Sequence, residues 1–322
     1  MDRSRINGVV TDELQAFLDM WHDDGLTVEA HTSGSTGEPK AIALLKEDMR
    51  KSAESTCRFF GLDERSQLGL VLPASYIAGR MVAVRADVCG GRLYSETPSS
   101  HPLRALDNNA VVDLLSVVPS QVDGLLDSPA LGRVRAVLVG GAPLDAAREQ
   151  RLASVGTLAA YATYGMTETC SNVALRRLGQ PIFVANEGFS FATDRRGCLV
   201  IRTDLLSFGE MVTNDVVRLY DEHHFAWVGR ADNVINSGGV KLHPELIEAK
   251  LAAVLPAGHF FVSSRASRRW GRELVVATDV EVTAEQRAQA EAVLQRYERP
   301  KEWIRLEALP LTANGKIKRI TF

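Results

Sequence analysis

A chain of 322 residues with 45% hydrophobic and 24% charged side chains can bury a sizeable core and exceeds one ordinary domain, which excludes a disordered or fibrous protein. Its 37 Lys and Arg against 40 Asp and Glu leave a net charge of −3, so no global basic field exists to hold nucleic acid or an anionic membrane. Cys57, Cys89, Cys170 and Cys198 are scattered with no CxxC pair, which argues against a zinc knuckle or a disulfide scaffold and fits a reducing compartment.

In chain order, Thr11 to Asp23 reads as one amphipathic helix with Leu14, Phe17, Leu18 and Trp21 on a single face. An extended run from Leu26 to Ala30 and a strand from Ala41 to Leu45 bracket a polar segment. A strand near Gly69 to Leu72 precedes a helix reaching Arg85. Leu115 to Val118 leads into Pro119 and a helix, and Val134 to Val139 leads into Gly140-Gly141 and another helix near Leu144. This repeated strand, turn and helix predicts a layered α/β lobe with parallel strands. Cys198 to Thr203, Met211 to Tyr220 and Phe225 to Val228 follow with little room for helices and predict an antiparallel β appendage. After Arg230 a smaller α+β unit is expected. It has a helix from Pro244 to about Val254, strands at Phe260 to Ser263 and Leu274 to Thr278, and a helix from Ala284 to Tyr297. Thr283 and Gln286 are spaced as that last helix's capping box, with Ala290, Val293, Leu294 and Tyr297 on one face.

Four segments carry chemistry. Thr32-Ser33-Gly34-Ser35-Thr36-Gly37-Glu38-Pro39-Lys40 combines exposed backbone amides, hydroxyls and a lysine, which together can wrap a polyphosphate. Its spacing is not that of a Walker loop, and a strand rather than a helix follows; a polar hairpin turn is the plainer alternative. Tyr164-Gly165-Met166-Thr167-Glu168-Thr169 offers an aromatic face beside hard oxygens for a phosphate-bound magnesium ion, or else a core tyrosine and a solvated glutamate. Gly229 to Lys241 and Pro310 to Arg319 each read, alone, as a surface turn and a basic tail.

Taken in this order, the four segments closely resemble the signature motifs of the adenylate-forming superfamily, which includes acyl-CoA synthetases, aryl-acid adenylating enzymes and luciferases. The resemblance runs from Thr32 to Arg319. Val139-Gly140-Gly141-Ala142-Pro143, Thr213-Asn214-Asp215 and Trp270-Gly271 add weaker echoes. It implies the fold of that family: a large lobe over residues 1–231 and a small mobile α+β domain over residues 232–322, hinged at Asp232. It also implies ATP, Mg2+ and CoA as ligands. By similarity Thr32, Ser33, Gly34, Ser35, Thr36, Gly37 and Lys40 cradle the ATP phosphates, Thr167 touches a phosphate and Glu168 binds magnesium. Tyr164 stacks on adenine beside Gly140 and Gly141, Asp215 accepts from the ribose hydroxyls, and Arg230 lies beside ribose and phosphate. Lys316 reaches the carboxylate and α-phosphate in the first half-reaction. Rotation of the small domain then presents the loop at Gly238 and Gly239 to the incoming thiol.

Three departures stand out. Ala162 replaces an Asn or Gln usual two positions before the stacking tyrosine, and Asn214 replaces a glycine before Asp215. Relatives also carry a whole subdomain before the phosphate loop where this chain has Met1 to His31, so its single helix is expected to replace that support or dock a partner subunit, with truncation of the front as the alternative.

The acid pocket is expected along Leu72 to Arg85, with Ser75, Tyr76, Arg80 and Arg85 toward the substrate. Two arginines there suit a second carboxylate, unless they are solvated or pair with Asp87 and Glu96. The compact front and this segment resemble the short form of the o-succinylbenzoate–CoA ligases of menaquinone biosynthesis, whose substrate keeps a ring carboxylate free. The expected activity is therefore acyl-adenylate formation followed by thioester formation with CoA. Competing readings are an enzyme that loads a carrier protein, a non-enzymatic nucleotide sensor, and a scaffold. No stretch approaches the roughly 18 apolar residues of a membrane span, and the polar start lacks a signal core. A cytoplasmic protein acting on small molecules is expected, with neither nucleic acid nor membrane insertion and with homo-oligomerisation left open.

Overall fold

The computed structural model describes residues 1–31, 40–256, 258–311 and 317–322. A short strand β1 (Ile6–Gly8) precedes helix α1 (Asp12–His22), which Thr11 caps by accepting from the Leu14 amide at 3.2 Å. Leu14, Phe17, Leu18 and Trp21 are all buried, as the periodicity predicts. Strands β2 (Thr27–His31) and β3 (Ala41–Leu45) pair antiparallel and lead into α2 (Lys46–Phe60). There follow β4 (Gln67–Leu70), α3 (Ile77–Val88), β5 (Arg92–Ser95), β6 (Val112–Val117), α4 (Val122–Leu126), β7 (Val134–Val139), α5 (Ala146–Ala153) and β8 (Ala159–Gly165). Strands β1, β5, β4, β6, β7 and β8 lie side by side in that order, all parallel.

Alternation along these strands sends their side chains to two cores, because successive residues face opposite sides of a sheet. Leu114, Ala136 and Leu138 join the cluster made with α1, α2 and α3. Leu115, Val117, Val137 and Val139 join the other, with Val122, Leu125 and Leu152 from α4 and α5. A parallel sheet covered on both faces results.

The antiparallel strands differ from the expected appendage in one respect: they continue the same sheet. They are β9 (Asn172–Arg177), β10 (Phe183–Ala185), β11 (Phe189–Thr193), β12 (Cys198–Thr203), β13 (Glu210–Asp221) and β14 (His224–Arg230). They extend it in the order β8, β9, β10, β14, β13, β12, β11, giving 12 strands among the described residues. The β8–β9 hairpin makes the join, since a tight reversal needs no crossover helix. Phe183, Phe189, Phe191 and Phe225 fill the core of this half.

The remaining chain forms a smaller unit: β15 (Ile235–Ser237), β16 (Val240–Leu242), α6 (Pro244–Leu251), β17 (Phe260–Ser267), β18 (Gly271–Thr278), α7 (Ala284–Val293) and β19 (Glu302–Arg305). Its five strands make a separate sheet with its own apolar core around Ile247, Leu251, Val262 and Val276. The Thr283 and Gln286 capping box is present, with reciprocal bonds of 3.0 and 3.1 Å. Helix α7 ends four residues earlier than Tyr297, because Leu294 takes an extended conformation at φ −100°, ψ 143°. The expected single face therefore breaks: Ala290 and Leu294 are buried, whereas Val293 is 45% and Tyr297 61% exposed. Among the described residues no helix is long and apolar enough to cross a membrane.

Candidate functional site

The connection from β4 through α3 runs to β5 on one side of β4, whereas β6 lies on its other side. Such a reversal opens a crevice at the carboxyl ends of β4 and β6, the usual ligand position in an open α/β sheet. Gln121, buried in the turn after β6, spans its floor by donating 2.9 Å bonds to the carbonyls of Val71 and Ser99.

Several residues singled out in the sequence collect along this edge. Ser75 and Tyr76 follow β4 and are exposed, Gly140 and Gly141 follow β7, and Thr167 and Glu168 follow β8. Thr167 to Thr169 form one 3-10 turn, in which the Thr169 hydroxyl accepts from the Met166 amide at 3.0 Å and donates to the Ser171 carbonyl at 2.8 Å. Cys170 closes the turn at φ +61°, a strained backbone position for a residue other than glycine. The turn leaves the Glu168 side chain in solvent beside a buried Thr167.

A second constellation joins β8 to the antiparallel half. Asp215 on β13 stands opposite Arg230 on β14 in the strand register. The Tyr164 hydroxyl donates to Asp215 Oδ2 at 2.8 Å, the Trp227 indole nitrogen donates to Oδ1 at 3.3 Å, and Arg230 Nη1 lies 3.7 Å from Oδ1. Thr213 accepts from the Asp215 amide at 3.1 Å, while Asn214 is held by Arg196 at 3.0 Å. Burial, with the Asp215 charge beside it, pushes the Tyr164 phenol well above its ordinary range, so it remains a neutral donor. Its ring packs edge-on against Phe183 and Phe225, with centroids 5.9 and 5.1 Å away. Trp227 was not singled out in the sequence; its place two residues after buried Phe225 on the same strand was the available signal.

The two arginines of α3 have different surroundings. Arg80 donates to the carbonyls of Ala74, at 2.9 Å, and Glu29, and its guanidinium lies 5.4 Å from the Phe17 ring centroid. It ties α3 to β2 and α1. Arg85 is 3% exposed and donates to the Ser171 hydroxyl and to Asn172 Oδ1, the latter at 2.8 Å, while its Nε has no partner. Neither arginine pairs with Asp87, which takes Arg5 and Trp21, or with Glu96, which takes Tyr94 and the Leu103 amide. Burial pulls the Arg85 guanidinium down to about 10, so it is charged at neutral pH. Among the described residues it meets no carboxylate. Ser171 and Asn172, which orient it, had no signal in the sequence.

Arg230 also donates to Asp232 at 2.8 Å, in the 3-10 turn that links the large sheet to the small one. Gly238 and Gly239, at φ +56° and +85°, form the two-residue turn of the β15–β16 hairpin, the conformation that glycine supplies. The Gly238 amide donates to the Trp270 carbonyl at 2.9 Å. Lys40 stands directly before β3. Thr32, Ser33, Gly34, Ser35, Thr36, Gly37 and Lys316 lie outside the described residues. Near Lys316 in sequence, Leu311 bridges Ile317, and Arg319 is held by Glu248 at 2.5 and 3.1 Å.

The residues present suit a bound nucleotide and its metal. A Cβ on Gly140 would lie 2.6 Å from the Thr163 hydroxyl, so the turn after β7 packs against β8 too closely to carry a side chain at that position without a shift. Asp215 is a fixed carboxylate acceptor. Among the described residues no cluster of three or more His, Cys, Asp or Glu could hold a metal by itself. Glu168 alone suits magnesium, which is commonly bound by one or two carboxylates together with substrate phosphates.

Comparison with known proteins agrees with this arrangement. Residues 11–197 match the AMP-binding enzyme family. The 2-succinylbenzoate–CoA ligases of Listeria monocytogenes and Bacillus subtilis are 25% and 24% identical, each over 95% of this chain and over 72% and 70% of their own lengths. An acyl-CoA synthetase (AMP-forming)/AMP-acid ligase II-like protein from Dyadobacter fermentans is 32% identical, with a TM-score of 0.64 over 95% of this chain and 91% of that one. The o-succinylbenzoate coenzyme A synthetase of Bacillus subtilis, solved with its acyl-adenylate intermediate, shares the fold. It has a TM-score of 0.79 and 22% identity over 90% of this chain and 67% of that one. The matched family spans more than half of the sequence and contains both the crevice and the turn that bears Glu168, and the chain belongs to the AMP-binding enzyme family.

Proposed function

We propose that this chain activates o-succinylbenzoate with ATP, through an acyl adenylate, and transfers the acyl group to CoA. The names of its curated relatives support the substrate. The observation that carries the reading is Arg85, a buried and charged guanidinium with an unpartnered Nε, held against Ser171 and Asn172 just after the turn that bears Glu168. Burying a cation without a carboxylate is costly, and a substrate that keeps a second carboxylate after activation would compensate it.

On this reading Asp215 accepts from the ribose hydroxyls, with Tyr164 and Trp227 fixing the rotation of its carboxylate. Adenine lies beside Gly140 and Gly141. The amides and hydroxyls of Thr32 to Gly37, with Lys40 and Thr167, hold the phosphates. Magnesium, when bound at Glu168, neutralises charge on the phosphate oxygens. The substrate carboxylate attacks the α-phosphorus, pyrophosphate leaves, and Lys316 neutralises charge on the acyl side. Adenylation is needed because a free carboxylate is a poor acyl donor. The small domain then turns about Asp232, removing Lys316 and presenting the Gly238-Gly239 turn, and the CoA thiol attacks the acyl carbonyl and expels AMP.

The test is a panel of carboxylic acids with ATP, assayed for pyrophosphate release with and without CoA. Turnover of o-succinylbenzoate to its CoA thioester, well above that of benzoate, succinate and fatty acids, is expected. Preference for a monocarboxylate, or transfer to a carrier protein and not to CoA, would overturn the assignment.

A further inference from the structure

Two cysteines that the proposed reaction leaves unused meet where α2 packs on α3. Cys57 lies near the end of α2 and is buried, and Cys89 caps α3 and is partly exposed. The Arg85 carbonyl takes bonds from both residues: the Cys57 thiol at 3.6 Å and the Cys89 amide at 3.0 Å. The Cys89 thiol donates to the next carbonyl along, that of Ala86, at 3.7 Å, so the two thiols sit on adjacent carbonyls of the last turn of α3. Cys89 is followed by Gly90, at φ +75°, and Gly91, so the chain beyond it can adjust more readily than a helix interior.

We propose that Cys57 and Cys89 form an oxidation-sensitive pair, in which Cys89 is attacked by a hydroperoxide and Cys57 resolves it to a disulfide joining α2 to α3. This inference stands on the thiol geometry and does not depend on the substrate assigned above.

The asymmetry of the pair supports the order of events. Hydrogen bonding from Cys57, opposed by burial and aided by backbone amides and Arg5, brings the Cys89 thiol down to about 7. The same contact and burial push Cys57 up. Cys89 thus supplies the nucleophilic thiolate, and its partial exposure lets the oxidant in. Its sulfur attacks one peroxide oxygen, the O–O bond breaks, and the departing oxygen takes a proton from water, leaving a sulfenic acid. The Cys57 sulfur then gives up its proton and attacks the Cys89 sulfur, and hydroxide leaves with that proton as water. Each sulfur loses one electron and each peroxide oxygen gains one. The other two cysteines lack these features. Burial pushes Cys170 up to about 12 and raises Cys198, and both thiols are buried.

The full chain treated with hydrogen peroxide, alkylated under denaturing conditions and mapped by peptide mass spectrometry tests this. A Cys57–Cys89 cross-linked peptide that reverts with dithiothreitol is expected, while Cys170 and Cys198 remain alkylatable. In Cys57→Ser, Cys89 should instead accumulate a dimedone-reactive sulfenic acid. The wild-type map decides the matter by itself if that variant fails to fold. Oxidation of all four cysteines at one rate, or Cys89 reaching sulfinic acid while Cys57 stays alkylatable, would overturn the proposal.

Discussion

Tyr164 and Asp215 are 51 positions apart in sequence, yet the Tyr164 hydroxyl donates to the Asp215 carboxylate across 2.8 Å and so ties the parallel half of the sheet to its antiparallel half. Tyr164→Phe removes one hydrogen bond to a charged acceptor, expected to cost about 1.5–3 kcal/mol of stability. Asp215→Ala should raise the KM for ATP about tenfold or more, because the ribose hydroxyls lose a charged acceptor. Urea unfolding and ATP-dependent pyrophosphate release read the two effects. An unchanged ATP KM in Asp215→Ala would remove the carboxylate from nucleotide binding.

The arginines of α3 should separate in their variants. Arg85→Met should weaken a dicarboxylate acid by about ten- to a hundredfold relative to its analogue lacking the ring carboxylate, since a charge-assisted bond of about 1.5–3 kcal/mol is lost. Arg80→Met should instead lower the unfolding midpoint and affect both acids alike, because its partners are the Ala74 and Glu29 carbonyls and the Phe17 ring. Competition kinetics with the two acids and thermal denaturation make the comparison. Equal loss of both acids in Arg85→Met would exclude that residue from carboxylate recognition.

Lys316→Ala should slow acyl-adenylate formation by about a hundred- to a thousandfold, the usual effect of removing one positioned charge. Thioester formation from supplied acyl adenylate should change little. Single-turnover assays of each half-reaction measure both, and parallel losses would contradict a role confined to the first.

Glu168→Gln should raise the magnesium concentration needed for half-maximal pyrophosphate release several-fold. The acidic side chain is exposed, so its loss should leave the unfolding free energy within about 0.5 kcal/mol of wild type. A magnesium titration identical to that of wild type would place the ion elsewhere.

The Glu149 and Arg176 pair predicts an acid sensitivity. Arg176 donates to both Glu149 oxygens at 2.6 and 2.9 Å, and the Gly179 amide adds a bond of 2.8 Å. Burial raises the Glu149 carboxyl, but these donors outweigh it and hold the group below the ordinary carboxylate range. A depressed carboxyl stabilises the fold above its unfolded pKa, and that contribution fades as pH falls through the folded value. Glu149→Gln should therefore be less stable than wild type at neutral pH, with the gap narrowing as acid is added below about pH 4. Urea midpoints across that range check it; a constant gap would mean the charge is not the cause.

Local chemistry sufficed for much of this protein. Strand β7 and helix α1 were readable because a short apolar run ending in Gly140-Gly141, and the Leu14, Phe17, Leu18 and Trp21 stripe, need only neighbours in sequence. The glycine and hydroxyl motifs likewise declare their chemistry within a few residues. Long-range pairing was not readable. Whether β9 to β14 form a separate layer or continue the large sheet depends on the β8–β9 hairpin, and the sequence pattern is the same in both cases. Arg80 and Arg85 sit five positions apart on one helix, and only the packing of α3 against β2 and β9 makes one a tie between elements and the other a buried charge without a carboxylate. Trp227, Ser171 and Asn172 gained their roles the same way. Hydrogen-bond partners drawn from distant strands are fixed by sheet order, and sheet order is a property of the folded chain.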